Sequence, residues 1–265
     1  RAGLLNVSVE GMMALGAISG FLAAFWSGSP IVAFAVAIVV GTIAGLIFGF
    51  LTVVRGADQI VTGIVFNLLA LGLASFLYQS LFASALAVPQ LQFTTAPLAL
   101  PWLSTLPIVG RALFTQSPVV YLAYLLVPIF WVVLETSRWG LNVRAVGENP
   151  EAVDSAGINV WRIRLQAIGV GGAMAGLGGA TIAVAQVGAY VDGMIAGRGF
   201  IVLAIVVFGG WNPWRVALAA LLFGAADALQ LRLQVSGVAL PNQLLQGLPY
   251  LLTIIVVAFV ARGAG

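Results

Sequence analysis

Apolar residues follow one another along most of this chain in long runs, which are separated by short polar stretches. Runs of about twenty apolar residues match the thickness of a bilayer and predict membrane-spanning helices. The first run is short for a full crossing and is either a short helix or a broken, partly re-entrant one, and the pattern leaves open whether this run and the sixth cross the membrane fully. The pattern therefore predicts an all-α, polytopic transmembrane bundle with about seven to nine spans or re-entrant segments. The predicted segments are residues 9–26, 30–54, 59–83, 119–134, 165–191, 193–210, 214–231 and 243–260.

Two stretches interrupt this pattern. Residues 84–118 contain five prolines, which forbid a continuous helix, so we expect an irregular segment at one membrane face. Residues 138–164 form the one substantial polar island, with four of the eleven arginines and three of the eight acids. We therefore expect a single transmembrane domain over residues 1–265, from which the island projects as a loop. Because the chain enters an apolar pattern soon after Arg1, we also expect a further segment upstream of it.

Composition narrows the chemistry that such a bundle can perform. Hydrophobic residues make up 62% of the 265 residues and charged residues only 7%, which is typical of a membrane protein. The chain has no Cys and no His, which excludes disulfides, thiolate nucleophiles, the usual zinc sites and His-based proton relays. A membrane-embedded enzyme would need clustered groups of these kinds or paired carboxylates. We therefore expect no catalytic residue, no metal site and no cofactor in this chain.

The arginines, which supply all of the positive charge, orient the bundle. Cytoplasmic loops are enriched in Arg and Lys close to the ends of spans. When the predicted spans alternate in direction, most arginines fall on the side of the island, which is therefore predicted to be cytoplasmic, while the Pro-rich segment 84–118 faces outward. The arginines on the island side are Arg1, Arg55, Arg138, Arg144, Arg162, Arg164, Arg215 and Arg262, and those on the other side are Arg111, Arg198 and Arg232.

The centre of the island has the pattern of a short helix. Asn149 is a favourable N-cap and Pro150 suits the first helical position. The acids Glu151 and Asp154 follow in the first turn, where the helix dipole favours negative charge. Gly157 then ends the helix after about two turns. On these residues alone, an ordinary loop with a surface helix and a docking helix for another protein are both open.

Glycines at four-residue spacing predict how the helices pack. Small residues at this interval line one helix face and let two backbones approach closely, which we favour here over a pore-lining role. The spacing occurs at Gly16 and Gly20, at Gly41, Gly45 and Gly49, at Gly172 and Gly176, and at Ala175 and Gly179.

Polar side chains inside predicted spans are costly and are treated as functional hypotheses. Glu10 either takes part in function or caps and pairs with neighbouring backbone or with Arg1. Asn67 and Gln79 either face a central path, where their amides match the edge of a nucleobase, or bridge helices. Aromatic rings offer stacking faces for a base or sugar and are equally compatible with packing. These rings are Phe21, Phe25, Phe66, Tyr78 and Phe200.

Three further charges lie near the ends of the late spans. Asp192 and Arg198 bracket the predicted outer end of segment 193–210, where they pair with each other, with Asp227 or with a partner protein. Asp227 lies within the next span and needs a partner for the same reason, and Arg232 is the nearest arginine in sequence.

Three sequence blocks carry a family resemblance. In the island, Glu151-Ala152 is followed after four residues by Gly157, which resembles the EAA loop of ABC importer permeases. The blocks are GLLNVSVEGMM at residues 3–13, WGLNVRAVGENPEAVDSAGINV at 139–160, and the stretch from AGRGF to GWNP at 196–213. Together they look like the branched-chain amino acid and ribose type of ABC importer permease, and within it the nucleoside branch that uses a BMP-type lipoprotein as binding protein.

The resemblance implies a set of partners. A permease of this kind pairs with a second and usually different permease, with cytosolic ATP-binding subunits and with an extracytoplasmic binding lipoprotein, in the bacterial cytoplasmic (inner) membrane. ATP and Mg²⁺ would bind to the partner ATPase, so this chain would not be an enzyme itself. Its glycine-rich run at 169–179 has no Gly-Lys-Ser/Thr ending of a phosphate loop. Residues expected to couple to the ATPase are Arg144, Asn149, Glu151, Asp154, Gly157 and Arg162, and those expected on the substrate path are Asn67, Gln79, Phe66 and Phe200.

We therefore interpret the chain as the permease subunit of an ABC importer that moves a nucleoside or related small solute by alternating access. A simple sugar is the second candidate solute, and a branched-chain amino acid is the third. A solitary secondary transporter or channel is the rival from another class, and it would need a chain of intramembrane acids or a ring of charge. The sequence offers only Glu10, Asp192 and Asp227 for that purpose, all close to predicted span ends.

Overall fold

The structure, a computed structural model, describes residues 1–83, 88–91, 98–99 and 114–235. Within these ranges, six helices are long and apolar enough to cross a membrane, and a shorter apolar helix covers Arg198–Phe208. The expected all-α, polytopic bundle is thereby confirmed. The helices are α1 (Val9–Ser27), α2 (Pro30–Gly49), α3 (Gln59–Phe82), α4 (Pro118–Thr136), α5 (Arg138–Glu148), α6 (Pro150–Ser155), α7 (Val160–Ala180), α8 (Arg198–Phe208) and α9 (Pro213–Val235).

Local sequence explains where several of these helices start. Four of them, α2, α4, α6 and α9, begin at a proline, whose fixed φ and missing N–H suit the first helical position. Asp58 caps α3, because its side chain accepts hydrogen bonds of 2.9 Å from the backbone N–H groups of Ile60 and Val61. Two helices continue past their α-helical part into π-helical stretches, α2 into Phe50–Val54 and α7 into Thr181–Val187.

Two boundaries differ from those that hydropathy predicts. α7 begins at Val160 rather than at residue 165, because Asn159 accepts a hydrogen bond of 2.9 Å from Arg162 N and caps the helix inside the polar island. The predicted segment 193–210 is helical only over Arg198–Phe208. The residues before that helix cannot continue α7, since Gly188, Gly193 and Gly197 all have positive φ. Apolar character therefore marked a membrane segment but not a continuous helix.

Helices α1, α2 and α7 pack most closely, and glycines set their separation. A Cβ atom added at Gly41 would lie 2.3 Å from the carbonyl oxygen of Gly172, and one added at Gly16 would lie 2.4 Å from the Cα atom of Gly176. Ordinary contact between such atoms begins at about 3.5 Å. The backbones can approach this closely only because these positions carry no side chain, so the glycine spacing predicted from sequence is a packing device.

Some of the expected outer segment is described. Residues Leu98–Ala99 and Thr115–Gln116 pair as two short antiparallel strands, β1 and β2, which are a small exception to the all-α expectation. The hydroxyl of Tyr121 in α4 donates to the carbonyl oxygen of Leu98 at 2.8 Å. Most of the Pro-rich segment 84–118 and the predicted span 243–260 lie outside the described residues.

Contacts group the chain into two compact units, residues 1–200 and residues 201–265. The described part of the second unit contains most of α8 and all of α9. These helices are joined by a tight turn in which Trp211 has a φ of 58°. The rings of Phe208 and Phe223 stack with centroids 6.1 Å apart across the pair. The expectation of a single transmembrane domain stays a prediction.

Candidate functional site

The centre of the polar island is the short helix α6. The side chain of Asn149 accepts a hydrogen bond of 3.0 Å from Ala152 N and caps the helix, and Pro150 is its first residue. Gly157 follows with a φ of 79°, a left-handed conformation that L side chains rarely adopt, and this ends the helix. The helix buries Val153 and exposes two acids, Glu151 and Asp154. Local sequence thus builds a short, capped helix that presents negative charge to its surroundings.

A small hydrophobic core lies beneath this helix. Val153 is 7% exposed and contacts a cluster of buried side chains that is separate from the main core of the bundle. The cluster joins the first residues of the chain to α5, α6 and α7. The helix is therefore packed against these elements rather than separated from them by solvent. The other members of the cluster are Ala2, Val143, Val146, Val160 and Ile163.

An ion network ties the island to the end of α4. The carboxylate of Glu135 accepts from Arg144 at 2.7 Å and from Arg1 at 2.6 Å, with one oxygen for each guanidinium group. Arg144 also donates to the carbonyl oxygen of Glu135 at 3.3 Å. The side chain of Arg144, an expected coupling residue, is therefore bonded to Glu135 near the end of α4. In contrast, the side chain of Arg162 is exposed at the start of α7.

Glu10 is a buried carboxylate in the first turn of α1, with an exposed fraction of 4%. Its two oxygens accept hydrogen bonds from the backbone N–H groups of Gly197, at 2.8 Å, and Gly199, at 2.6 Å. These groups belong to the N-terminus of α8, where the helix dipole also favours negative charge. Hydrogen bonds to charged groups contribute about 1.5–3 kcal/mol each, which offsets the desolvation of the carboxylate. Glu10 thus pairs with backbone, as one of the two expectations for it stated. The backbone groups, however, belong to a segment far along the chain and not to a neighbouring one.

This contact corrects the expected placement of Arg198. Hydropathy put Glu10 near the inner end of its span and Arg198 at the outer end of another, whereas the neighbours of Arg198 in sequence are bonded directly to Glu10. The guanidinium group of Arg198 donates to the carbonyl oxygen of Met194 at 3.0 Å. Asp192 instead accepts a hydrogen bond from the hydroxyl of Ser75 in α3. Asp192 is therefore bonded to α3, whereas Arg198 bonds to the backbone of the segment that precedes its own helix.

The expected path residues fall into two groups. Asn67 is 5% exposed, and its amide accepts from Gly11 N at 2.8 Å and donates to the carbonyl oxygen of Val7 at 2.9 Å. These contacts are those of a side chain that joins α3 to the start of α1. Phe66 is also buried and meets the ring of Phe48 edge-on at 6.4 Å. The other two, Gln79 in α3 and Phe200 in α8, are exposed.

An aromatic cluster lies where α1, α3 and the segment after α7 meet. Phe82 is central, with ring centroids 5.3 Å from Phe25 and 5.4 Å from Tyr78. The ring of Tyr190 is tilted by 47° against the ring of Tyr78, with centroids 5.1 Å apart, and it also contacts Phe21. Burial, helped by the nearby charge of Asp192, raises the pKa of Tyr190 to about 12.

Asp227 lies in the second unit. Its side chain is half-buried in the middle of α9.

Comparison with known proteins assigns the chain to a family. Residues 1–257 match the family described as branched-chain amino acid transport system, permease component. The chain belongs to this family. The described residues contain six helices that are long and apolar enough to cross a membrane, so the permease is a multi-pass membrane protein, and it is of the ABC transporter permease type.

Three relatives match the permease over most of its length. It is 40% identical to TsgC13 of Haloferax volcanii, whose name gives it provisionally as a glucose ABC transporter permease, over 93% of this chain and 75% of that protein. It is 37% identical to the nucleoside ABC transporter permease NupC of Lactococcus lactis, over 97% and 84%. It is 33% identical to the guanosine ABC transporter permease NupQ of Bacillus subtilis, over 99% and 85%. No solved structure matches it.

Several long-range contacts of the permease involve residues that were not singled out from its sequence. Glu135 directly follows a predicted span, and a single acid there gives no indication of its partners. Gly197 and Gly199 were visible as a Gly-Arg-Gly run, a signal of close backbone approach, but nothing in the run points to Glu10. Phe82 and Tyr190 complete the aromatic cluster, and they are found only once the helices are placed together.

Proposed function

We propose that the permease translocates a nucleoside or a related base or sugar compound as one subunit of an ABC importer. In this proposal ATP and Mg²⁺ bind to cytosolic partner subunits, and the permease carries no enzymatic activity and no cofactor of its own. A second permease chain completes the pathway, and an extracytoplasmic binding lipoprotein delivers the solute. The complex works in the cytoplasmic membrane of a bacterium, with the polar island on the inner side.

The observation that carries this proposal is the geometry of α6. The helix is capped at one end by Asn149 and ended by Gly157 at the other, it exposes Glu151 and Asp154, and it is backed by its own hydrophobic core. A short rigid helix of this kind suits docking into a cleft of an ATPase. ATP-driven closure of the partners would then move α6 and, through the packed core behind it, the start of α7. Alternating access follows if the two positions of α6 favour different arrangements of the spans.

The nucleoside assignment is supported by two relatives whose names include a nucleoside or guanosine, at 37% and 33% identity. A sugar is the second candidate, supported by the glucose name of the relative at 40% identity, and a branched-chain amino acid is the third. Uncharged solutes need few charges along the path, and exposed Gln79 offers an amide with both a donor and acceptors. Binding of purine nucleosides, pyrimidine nucleosides and sugars to the cognate binding protein distinguishes these solutes.

The coupling role is tested in the complete transporter, reconstituted in proteoliposomes with its binding protein. We expect Glu151→Arg and Gly157→Val to abolish most solute uptake while ATP hydrolysis continues and the complex stays assembled. Gly28→Val is the matched control. Gly28 also has a positive φ, 66°, and open space around it, but it follows the C-terminal end of α1 rather than lying in the polar island. Uptake at the wild-type rate in both island variants would contradict the coupling assignment.

A further inference from the structure

Residues 188–197, between the π-helical end of α7 and the start of α8, are non-helical, and this segment is fixed at both ends. Four residues in it have positive φ: Gly188, Gly193, Gly197 and, unusually for a residue with a Cβ atom, Ala196 at 50°. Near its start, the carbonyl oxygen of Gly188 accepts from Leu91 N at 2.8 Å, and Asp192 bonds to Ser75. At its end, the N–H groups of Gly197 and Gly199 donate to Glu10. A strained segment of this kind holds its conformation only while such contacts persist.

The contact at Glu10 is specific for a carboxylate. Both of its oxygens are acceptors, and each one meets a backbone N–H group. A glutamine of the same size would place its NH₂ group against one of these donors in either orientation. The backbones are also close together, because a Cβ atom at Gly199 would lie 2.5 Å from both the N and the Cα atoms of Glu10. Charge and shape therefore both hold the start of α8 against the start of α1.

The residues before Glu10 connect this contact to the polar island. At one end, Arg1 bonds to Glu135, and Ala2 is buried in the core beneath α6. A Cβ atom at Gly147 would lie 1.8 Å from the carbonyl oxygen of Arg1, so this part of the chain runs directly against α5.

Further along, the same stretch is fixed to α3. Leu5 N donates to Gln59 at 2.8 Å, and the carbonyl oxygen of Val7 accepts from Asn67. Asn67 then bonds to Gly11 N, next to Glu10. Residues 1–10 thus form a continuous link, held largely through backbone atoms, from the island to the start of α8.

We propose that Glu10 is a positioning residue for transport, which holds segment 188–197 and the start of α8 in register with α1, and that residues 1–10 carry displacement of the island to it. This inference rests on the proposed function. Motion at α6 reaches the core around Ala2, and the stretch that follows shifts Glu10 relative to its two N–H donors. The position of segment 188–197 then depends on the state of the ATPase.

The test uses the complete reconstituted transporter with Glu10→Gln and Gly199→Ala, which break the same contact from opposite sides. Ser19→Ala is the control, since it removes a hydroxyl that bonds within α1. Solute uptake, ATP hydrolysis with and without loaded binding protein, and assembly by gel filtration are measured for each. We expect uptake to fall about tenfold or more in both variants, the change expected for one lost charged hydrogen bond. ATP hydrolysis and assembly should stay near wild type, and the control should behave as wild type.

Two results for the Glu10→Gln and Gly199→Ala variants would overturn the positioning role, and the wild-type complex tests the proposed function separately. Wild-type uptake in both Glu10→Gln and Gly199→Ala would overturn the positioning role. Loss of assembly in both would show that Glu10 serves the fold alone and would overturn it as well. If the unmodified complex itself moves no solute on ATP hydrolysis, the proposed function fails, and this is distinguished by the wild-type measurement before any variant is compared.

Discussion

Neighbouring glycines in α7 provide a sharp test of the packing that holds the bundle together. Gly172 is buried against α2, and a Cβ atom added there would lie 2.2 Å from the carbonyl oxygen of Gly41 and 3.0 Å from the Cα atom of Gly45. Both obstacles are backbone atoms, so no side chain can rotate away. Gly171 is exposed, with nothing within 4 Å of the same added atom. The two positions differ in packing but share one helix and one turn.

The magnitude follows from this geometry. Gly172→Ala forces the two helices apart by about 1 Å to restore ordinary contact. Overpacking of this kind costs about 3 kcal/mol at the upper end of its range, while the helix preference of Ala over Gly returns about 1 kcal/mol. We expect Gly172→Ala to destabilise the permease by about 2 kcal/mol and Gly171→Ala to stabilise it by about 1 kcal/mol.

The assay is unfolding of the purified permease in mixed detergent micelles, titrated with a denaturing detergent and followed by circular dichroism. The free energies of unfolding of the two variants should differ by about 3 kcal/mol, with opposite signs relative to wild type. Equal free energies for the two variants would refute the packing of α2 on α7 and, with it, the role of the glycine spacing.

Three further predictions concern polar residues. Asn67→Leu leaves Gly11 N and the carbonyl oxygen of Val7 unpaired, so we expect it to lower the free energy of unfolding by about 1–3 kcal/mol for each group. Gln79→Leu changes an exposed position of the same helix and should leave the free energy of unfolding unchanged. Because Gln79 is an expected path residue, this variant should alter solute uptake instead. The same denaturation and uptake measurements check both, and an unaltered stability for Asn67→Leu would contradict the bridging role. Asn149→Ala removes the N-cap of α6, worth about 1 kcal/mol, and should weaken ATP-driven uptake while solute binding by the partner lipoprotein is unaffected. Restoration of uptake by Asn149→Asp, another good cap, is expected, and its failure would show that the side chain acts by something other than capping.

Features of the permease that depend on residues close together in the chain could be predicted from its sequence. Runs of apolar side chains define membrane spans because the bilayer selects each segment by its own length and polarity. The N-cap Asn149, the following proline and Gly157 define α6 because capping and left-handed turns are decided within a few residues. Glycine spacing in α2 and α7 indicated which faces pack closely, since that spacing places small residues on one side of a helix.

The partners of the buried polar groups became visible only in the folded chain. Glu10 meets Gly199 across 189 positions of sequence, and Asn67 meets Gly11 across 56. Such pairs depend on the path of the whole chain, which no local pattern encodes. The same holds for the break before α8, because residues 193–197 are as apolar as a helix would require but cannot form one while Gly197 bonds to Glu10. Hydropathy indicates whether a segment prefers lipid or water. The path of its backbone within the membrane depends on the hydrogen-bond partners that are available to its N–H groups.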